Sequence, residues 1–328
     1  MKLYRNEVCA AIVLVLALCA PSALRADVTI RYHSEITPAA ALQPIAEKLM
    51  KPMQAGTESS VRMKGNKAYA TSGNWIEIFD FAKQEVTLID PEHKTFATLP
   101  VSQLADKMAG AVPQATPEQM QAAQKAMGSI KTSVESKMTG NTAEIQGIQA
   151  EERELTLTME LPLPPAMNQS SPSMRLVMHV WTPKKEEVLR VASIRELTGY
   201  QNWQKYVMNP AGMLDKLLGK MPGMSDSMGS MLDEIYKNPS VILRMRAEMY
   251  MPFLAVLAKQ MGGEDATLPA LDPDAPVMEM SQEIAELSSA AVDGSLLEIP
   301  EGYAAVGADD MVKGLLKAQA SAAGIDPK

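Results

Sequence analysis

The chain has 328 residues, of which 46% are hydrophobic and 21% charged, and its formal net charge is −8. This length can bury a sizeable core, while an acidic balance without a basic run argues against nucleic acid and anionic lipid headgroups as partners. Only three histidines and two cysteines are present, which restricts chemistry that depends on imidazole or thiolate groups.

The first 26 residues are predicted to be a secretory signal peptide. A positively charged start precedes the apolar run Val8–Ala20, which is too short for a membrane span. Cleavage is expected after Ala26. A lipid anchor at Cys19 is the alternative. Lipoprotein signals, however, carry Gly, Ala or Ser directly before the cysteine, and this sequence has Leu18 there.

Cleavage would change both the cysteine content and the charge of the chain. Both cysteines, Cys9 and Cys19, lie in the leader, so the mature chain is expected to lack disulfides and thiolate metal sites. The leader also removes three basic residues and one acidic residue, which leaves 28 against 38, or −10. We predict an exported protein, periplasmic or secreted, without a transmembrane segment in the mature chain and stabilised by core burial.

Residues 27–328 are predicted to form one α+β domain. An alternating strand begins at Val28, and a short helix over Ala39–Met50 follows it. Val61–Pro100 then alternates apolar and polar residues between Gly, Asn, Asp and Pro turns, which is typical of an antiparallel meander. The apolar positions expected to face the inside of this meander are Val61, Met63, Ile76, Ile78, Val86 and Leu88.

Two short helices, Val101–Ala109 and Pro117–Met127, are predicted to precede a second group of strands. The strands of this group are predicted at Ile130–Met138, Ala143–Ile145 after a Thr139–Asn141 turn, Gln149–Leu161 and Met174–Trp181. In the long strand Gln149–Leu161, leucine and methionine alternate with glutamate and threonine, which predicts one buried and one exposed face.

Residues 186–261 are predicted to be a Met-rich helical insert, with helices over Glu186–Val207 and Pro252–Met261 and a strand over Val241–Met251. Within it, Met208–Met231 carries many methionines but is broken by proline and glycine, so it cannot be one rigid helix. The spacing Met221-x-x-Met224 fits Cu(I) binding, packing on one helix face, or an adaptable apolar surface. A final strand, Val277–Leu287, and a helix, Asp309–Ala320, are predicted to close the chain.

Several pieces of the sequence resemble a family of exported bacterial proteins of unknown function. They are the strand VTIRYHSEI, the meander end LIDPEHKTFATLP, the hairpin TGNTAEIQGIQAEERELTL, the MHVWTP strand and the closing AAVDGSLLEIPEGYAAV. That family is similar to periplasmic lipoprotein carriers of the Lol type. The resemblance implies a large curved antiparallel sheet, an unclosed β-barrel, that encloses helices, and it brings no catalytic residues. The insert at 186–261 departs from the simpler members.

An apolar concavity in such a half-barrel is the expected functional site, because concave apolar surfaces bind hydrophobic ligands. We predict a non-enzymatic extracytoplasmic carrier or binding protein for a lipid or other hydrophobic ligand, without cofactor or metal. No catalytic motif is present; the nearest, Gly223–Ser227, lacks the second glycine of a nucleophile elbow. The alternative is an envelope structural or interaction protein whose concavity is filled by its own helices. The residues expected to contact the ligand are Ile76, Ile78, Leu88, Leu157, Met159, Met178, Met213, Leu217, Met221 and Met224.

Overall fold

The computed structural model describes residues 27–40, 57–72, 74–111, 131–160, 173–208, 234, 241–255 and 272–322. The strands in these parts are β1 (Val28–Pro38), β2 (Thr57–Lys64), β3 (Lys67–Ser72), β4 (Trp75–Asp80), β5 (Glu85–Asp90), β6 (Thr95–Pro100), β7 (Lys131–Ile145), β8 (Ile148–Glu160), β9 (Met174–Pro183), β10 (Arg244–Tyr250), β11 (Met278–Ser288) and β12 (Ala304–Ala305). The helices are α1 (Val101–Ala111), α2 (Lys185–Arg190), α3 (Ala192–Met208) and α4 (Ala308–Ala322), with a 3-10 turn at Gly294–Leu297.

All twelve strands belong to one open sheet. Their order is β12-β6-β5-β4-β3-β2-β1-β11-β10-β9-β8-β7, so β12 and β7 are its two edges. Neighbouring strands pair antiparallel throughout, except that the two-residue β12 runs parallel to β6. The predicted fold class, an α+β protein built on a large unclosed antiparallel sheet, is confirmed. The run β2 to β6 is the predicted meander, with each strand paired to the next.

The inner face is the face of β1 to β6 against which three helices pack. Val28 and Ile30 of β1 share one buried cluster with Leu104 of α1, Ile194 of α3 and Val312 of α4. All five side chains are at most 6% exposed. Because these helices occupy the first half of the sheet, their apolar residues fill the space above β1 to β6.

The turns after β4 and after β5 are stabilised by the same kind of hydrogen bond, from backbone N–H groups to an aspartate side chain. Asp80 and Asp90 each end a strand, and the Oδ1 of each accepts hydrogen bonds from the backbone N–H groups two and three residues later. The fourth residues after them, Gln84 and Lys94, have φ of 55° and 51°. An aspartate that accepts hydrogen bonds from the backbone of its own turn stabilises a tight reversal of the chain. A connection of four residues is too short for a crossover helix, so the strands that it joins are antiparallel.

Strand β7 contains a bulge where the sequence predicted a turn. The pairing of β7 with β8 shifts between Met138 and Thr142, yet the strand continues to Ile145. Side chains of Thr139 and Asn141 donate hydrogen bonds to the buried Glu152 of β8. The prediction of two strands separated by a turn at Thr139–Asn141 is therefore wrong, because these bonds hold the extra residues inside one continuous strand.

The register of β4 places two predicted inward residues on the outer face. Glu77 pairs directly with Leu88, whereas Ile78 pairs with Thr87 and Ile76 with Ile89. Residues directly opposite one another share a face, and neighbours along a strand alternate. Leu88 belongs to the inner cluster, so Ile76 and Ile78 lie on the opposite face and the prediction that they point inward is wrong.

The C-terminal segment, residues 292–306, is held on the outer face by two lysines at the turn between β2 and β3. Lys64 Nζ donates to the carbonyl of Val292 at 2.6 Å, and Lys67 Nζ to the carbonyl of Leu297 at 3.1 Å. The segment then pairs with β6 through β12, and α4 follows on the inner side. Ile78 is only 6% exposed without belonging to either buried cluster of the inner face. We attribute its burial to this segment.

Other predicted elements lie partly or wholly outside the described residues. They are the helix at 39–50 beyond residue 40, the helix at 117–127, the segment 209–231 and the helix at 252–261 beyond residue 255. The predicted helix Glu186–Val207 is two helices, α2 and α3, because Val191 between them has an extended backbone with φ −101° and ψ 110°. The predicted final strand and final helix correspond to β11 and α4.

Candidate functional site

The second half of the sheet carries a separate apolar surface, which we call the methionine face. Its members form a buried cluster distinct from the helix-filled one. Six of them are at most 8% exposed and six are partly buried. The twelve residues are Val134, Leu155, Leu157, Met159, Met174, Leu176, Met178, Val180, Ile242, Met245, Ala247 and Met280.

The strand register arranges this surface in rows that run across the sheet. One row passes from Leu155 through Met178 and Ala247 to Met280 and then to Ile36 of β1. Along β1, Ile36 has the same alternation as Ile30, which faces the helices. The methionine face therefore continues the inner face of the sheet beyond the part that α1, α3 and α4 fill.

The opposite side of the same strands is charged. Arg244 donates two hydrogen bonds to Glu283, at 2.8 and 2.9 Å, and Arg246 lies 3.1 Å from both Glu248 and Glu279. These pairs span β10 and β11 and are partly exposed. Because apolar and charged side chains are separated in this way, the charged side of these strands is the one that faces solvent and the methionine face is the one that is shielded from it.

A buried hydrogen-bond cluster on the charged side involves Glu152 and His179. His179 Nδ1 lies 2.7 Å from Glu152 Oε1, and Thr139 and Asn141 also donate to this carboxylate. Burial opposes ionisation of Glu152, but the hydrogen bonds from Asn141, Thr139 and His179 outweigh it and hold the pKa of Glu152 below its usual value. The cluster fixes the β7 bulge, and its contacts are those of a structural network.

Glu234, which lies in the predicted insert between α3 and β10, contacts the side of the sheet that carries the methionine face. Arg153, which precedes Leu155 on the same side of β8, donates from Nη1 to the carbonyl oxygen of Glu234 at 3.3 Å. Glu234 is in helical conformation. Glu234 therefore lies on the same side of the sheet as Leu155 and Val180, and Val180 is paired with Arg153 in the register of β8 and β9.

The predicted ligand contacts fall into four groups. Leu157, Met159 and Met178 lie together on the methionine face. Leu88 is fully buried under the helices of the first half, so it is separate from that group. Ile76 and Ile78 lie on the outer face, which corrects their assignment to the concavity. Met213, Leu217, Met221 and Met224 lie outside the described residues.

Sequence reasoning missed several members of the methionine face. Met245 and Ala247 alternate with arginine and glutamate in the short strand RMRAEMY, and Met280 alternates likewise in β11. That alternation is a sufficient signal for an apolar side. It could not show that these strands lie next to β9, because β10 is separated from β9 by 60 residues of chain.

The described residues contain neither a cluster of metal ligands nor a membrane-spanning helix. No group of three or more His, Cys, Asp or Glu side chains in these parts is arranged to hold a metal ion. Among the same residues, none of the helices has both the length and the apolar character that a membrane span requires.

Comparisons with known proteins give a structural similarity only. No protein-family model matches the chain, and no curated protein matches it. Among solved structures, it is similar to a LolA superfamily protein from Nitrosomonas europaea, over 84% of this chain and 90% of that one. The two are 6% identical with a TM-score of 0.22. The fold described above therefore rests on the strand order and register of this chain.

Proposed function

We propose that the protein is a non-enzymatic binding protein or carrier for a lipid or another hydrophobic ligand, and that the methionine face is its binding surface. The observation that carries this proposal is the division of the inner face. Helices α1, α3 and α4 pack on the first half, whereas Met174, Met245 and Met280 in the second half are only partly buried. An apolar, partly accessible surface is where a hydrophobic ligand gains most from leaving water.

Methionine side chains suit such a surface better than leucine or phenylalanine. A thioether chain has several rotatable bonds and a polarisable sulfur, so it adapts to ligands of varied shape. Five of the twelve residues of the methionine face are methionine. We therefore expect recognition of an acyl chain or similar apolar group with little preference for one length, rather than a tightly shaped pocket for one molecule.

Binding of a fluorescent fatty acid tests this proposal. The double variant Met245→Gln, Met280→Gln keeps the length of both side chains but introduces polar amides, so we expect affinity to fall about tenfold or more. Leu189→Gln is the control, since Leu189 lies in α2, is 69% exposed and does not belong to the methionine face. Equal affinities for the double variant and the control would contradict binding at this surface.

The second candidate is an envelope structural or interaction protein with a filled concavity. The packing of α1, α3 and α4 against β1 to β6 favours this reading for the first half of the sheet. The whole concavity would be filled, as this candidate requires, if the methionine face were also permanently covered. The two candidates differ in one property: only the carrier exchanges its apolar contacts with a ligand.

Export is part of the proposal and rests on the leader-like first 26 residues, which lie outside the described residues. N-terminal sequencing of the protein from its native host should find Asp27 as the first residue. A chain in the cytoplasm that still begins at Met1 would contradict export, and a diacylated Cys19 would favour the anchored alternative.

A further inference from the structure

A small aromatic pocket lies on the helix-filled half of the inner face, apart from the methionine face. Its volume is about 120 Å³. It is formed between α3, strand β2 and the turn after β4. We call it the aromatic pocket. The described residues that line it are Met63, Phe81, Glu196, Gly199, Tyr200 and Trp203.

Three rings make up most of the wall. Phe81 meets Trp203 at a centroid distance of 4.9 Å and an angle of 59°, and meets Tyr200 at 5.7 Å and 47°. Phe79, which is 1% exposed, supports Tyr200 and Trp203 from the core side with centroids 6.2 and 5.7 Å away. Tyr200 and Trp203 are nearly parallel, with centroids 6.4 Å apart and an angle of 13°, whereas Phe81 is tilted against both, so the rings present π-faces in more than one direction.

Glu196 places a carboxylate in this aromatic wall. It lies one helical turn before Tyr200 in α3, so the two side chains are neighbours on one side of the helix. Within the described residues Glu196 has no hydrogen bond or ion pair, and it is partly exposed. A Cβ added at Gly199 would meet no atom within 4 Å, so the space beside the helix is open at this point.

Within the described residues the indole N–H of Trp203 is an unsatisfied donor and therefore reduces the free energy of unfolding. Its Nε1 is buried and has no hydrogen-bond partner in the part of the chain that the structure describes. An unsatisfied buried donor costs about 1–3 kcal/mol, and phenylalanine would fill much of the same space without that cost. Packing alone therefore does not explain an indole here. The indole ring has the strongest attraction for cations among aromatic side chains.

We propose that the aromatic pocket binds an organic ammonium group, such as the trimethylammonium group of choline. Aromatic faces attract a desolvated cation, and the unpaired carboxylate of Glu196 supplies the complementary charge. A cavity of about 150 Å³ accommodates benzene, so the slightly smaller pocket fits a compact group of this kind. A single carboxylate among aromatic rings does not supply the six or more oxygen ligands that a calcium ion requires. This proposal stands independently of the proposed function.

The test compares choline with 3,3-dimethylbutan-1-ol, which has the same shape without the charge. Titration of the full chain by NMR or calorimetry should show saturable choline binding in the millimolar range, as expected for so small a ligand. We expect the neutral isostere to bind at least about fivefold more weakly. Equal binding of the two compounds, or no saturable binding of choline, would overturn the proposal.

Variants then assign the binding to this pocket. Glu196→Gln should weaken choline binding about fivefold or more, whereas Glu301→Gln, at an exposed turn, should leave it unchanged. Trp203→Phe should weaken binding while the urea midpoint stays the same or rises, since it removes the unsatisfied donor. If Glu196→Gln and Glu301→Gln bind choline equally, the pocket is not the site.

A further comparison distinguishes a lipid headgroup from a free solute as the source of the ammonium group. Short-chain phosphatidylcholine, kept below its micelle concentration, is titrated beside free choline and phosphocholine. Binding of the lipid that is much tighter than that of phosphocholine supports a lipid headgroup as the ligand. Equal binding of lipid, phosphocholine and choline supports a free solute, and failure of all three overturns the ammonium assignment.

Discussion

The burial of Ile78 on the outer face gives a prediction that tests the fold directly. Ile78→Ala removes three buried carbons, which corresponds to about 2.4 kcal/mol of transfer free energy. The cavity that remains raises the expected loss of unfolding free energy to about 2–5 kcal/mol. Ile78 is 6% exposed, so nearly the whole side chain contributes. Urea unfolding, with the midpoint and slope both measured, gives this loss.

The source of that burial is tested by a double-mutant cycle between Ile78 and Leu297. Leu297 is 4% exposed and belongs to the C-terminal segment that Lys67 holds on the outer face. If this segment covers Ile78, Ile78→Ala and Leu297→Ala should couple by about 0.5 kcal/mol or more. Leu155→Ala is the control partner, because Leu155 lies on the methionine face, and its effect should add to that of Ile78→Ala within about 0.5 kcal/mol. Additivity of Ile78 with Leu297 would refute the reasoning, as would a loss for Ile78→Ala below about 0.5 kcal/mol.

Three further predictions concern the inner face and the buried carboxyls. Leu155→Ala should cost about 2–5 kcal/mol in urea unfolding, while Thr156→Ala on the other side of β8 should stay within about 0.5 kcal/mol; similar losses would mean that the faces are misassigned. Burial raises the pKa of Glu77, so its stabilising effect is present below the unfolded value of 4.5 and is lost as pH rises through the folded value. Glu77→Gln should therefore stabilise the protein relative to wild type near neutral pH, a gain that shrinks towards about pH 4, and a pH-independent difference would contradict this. The pKa of Glu152 is lowered, so its contribution is present above the unfolded value and lost as pH falls through the folded value. Glu152→Gln should cost about 1–3 kcal/mol at neutral pH and progressively less in acid, and an equal cost at all pH values would count against an ionised Glu152.

Long alternating strands made part of the candidate site predictable. In β8 the buried residues Leu155, Leu157 and Met159 alternate with threonine and glutamate over many residues, so only one side can be apolar. Met178 in β9 follows the same rule. Because the period of a strand is two, a long run of this kind fixes the face without knowledge of the neighbouring strands.

Short strands with apolar residues on both sides could not be assigned in the same way. In β4, WIEIFD, the pattern Ile76-Glu77-Ile78 suggests inward isoleucines, but Trp75 and Phe79 are the residues that join the inner cluster. We attribute the burial of Ile78 on the outer face of β4 to a segment more than 200 residues later, which Lys67 of the neighbouring strand contacts. Alternation within six residues contains no information about such a distant partner.

The bulge of β7 illustrates a second limit of the sequence. The run Thr139-Gly140-Asn141 has the composition of a turn, and Gly140 has φ of 83°. What makes it a bulge is Glu152, whose buried carboxylate accepts from Thr139 and Asn141 across the strand pair. Glu152 shares its side of the strand with the glutamates and threonines whose pattern predicts an exposed face, yet it is 3% exposed, so the interaction that decides the local structure is not visible in the pattern.

The central claim, that the methionine face holds a hydrophobic ligand, is tested most directly by native mass spectrometry of the full chain purified from its host envelope. We expect a mass excess that corresponds to one lipid or similar molecule. Organic solvent should release this molecule, and the stripped protein should take it up again. The double variant Met245→Gln, Met280→Gln should show less of the bound form than Leu189→Gln. A chain that carries no such mass and takes up no lipid when offered it would contradict the account and favour a filled, interaction-type protein.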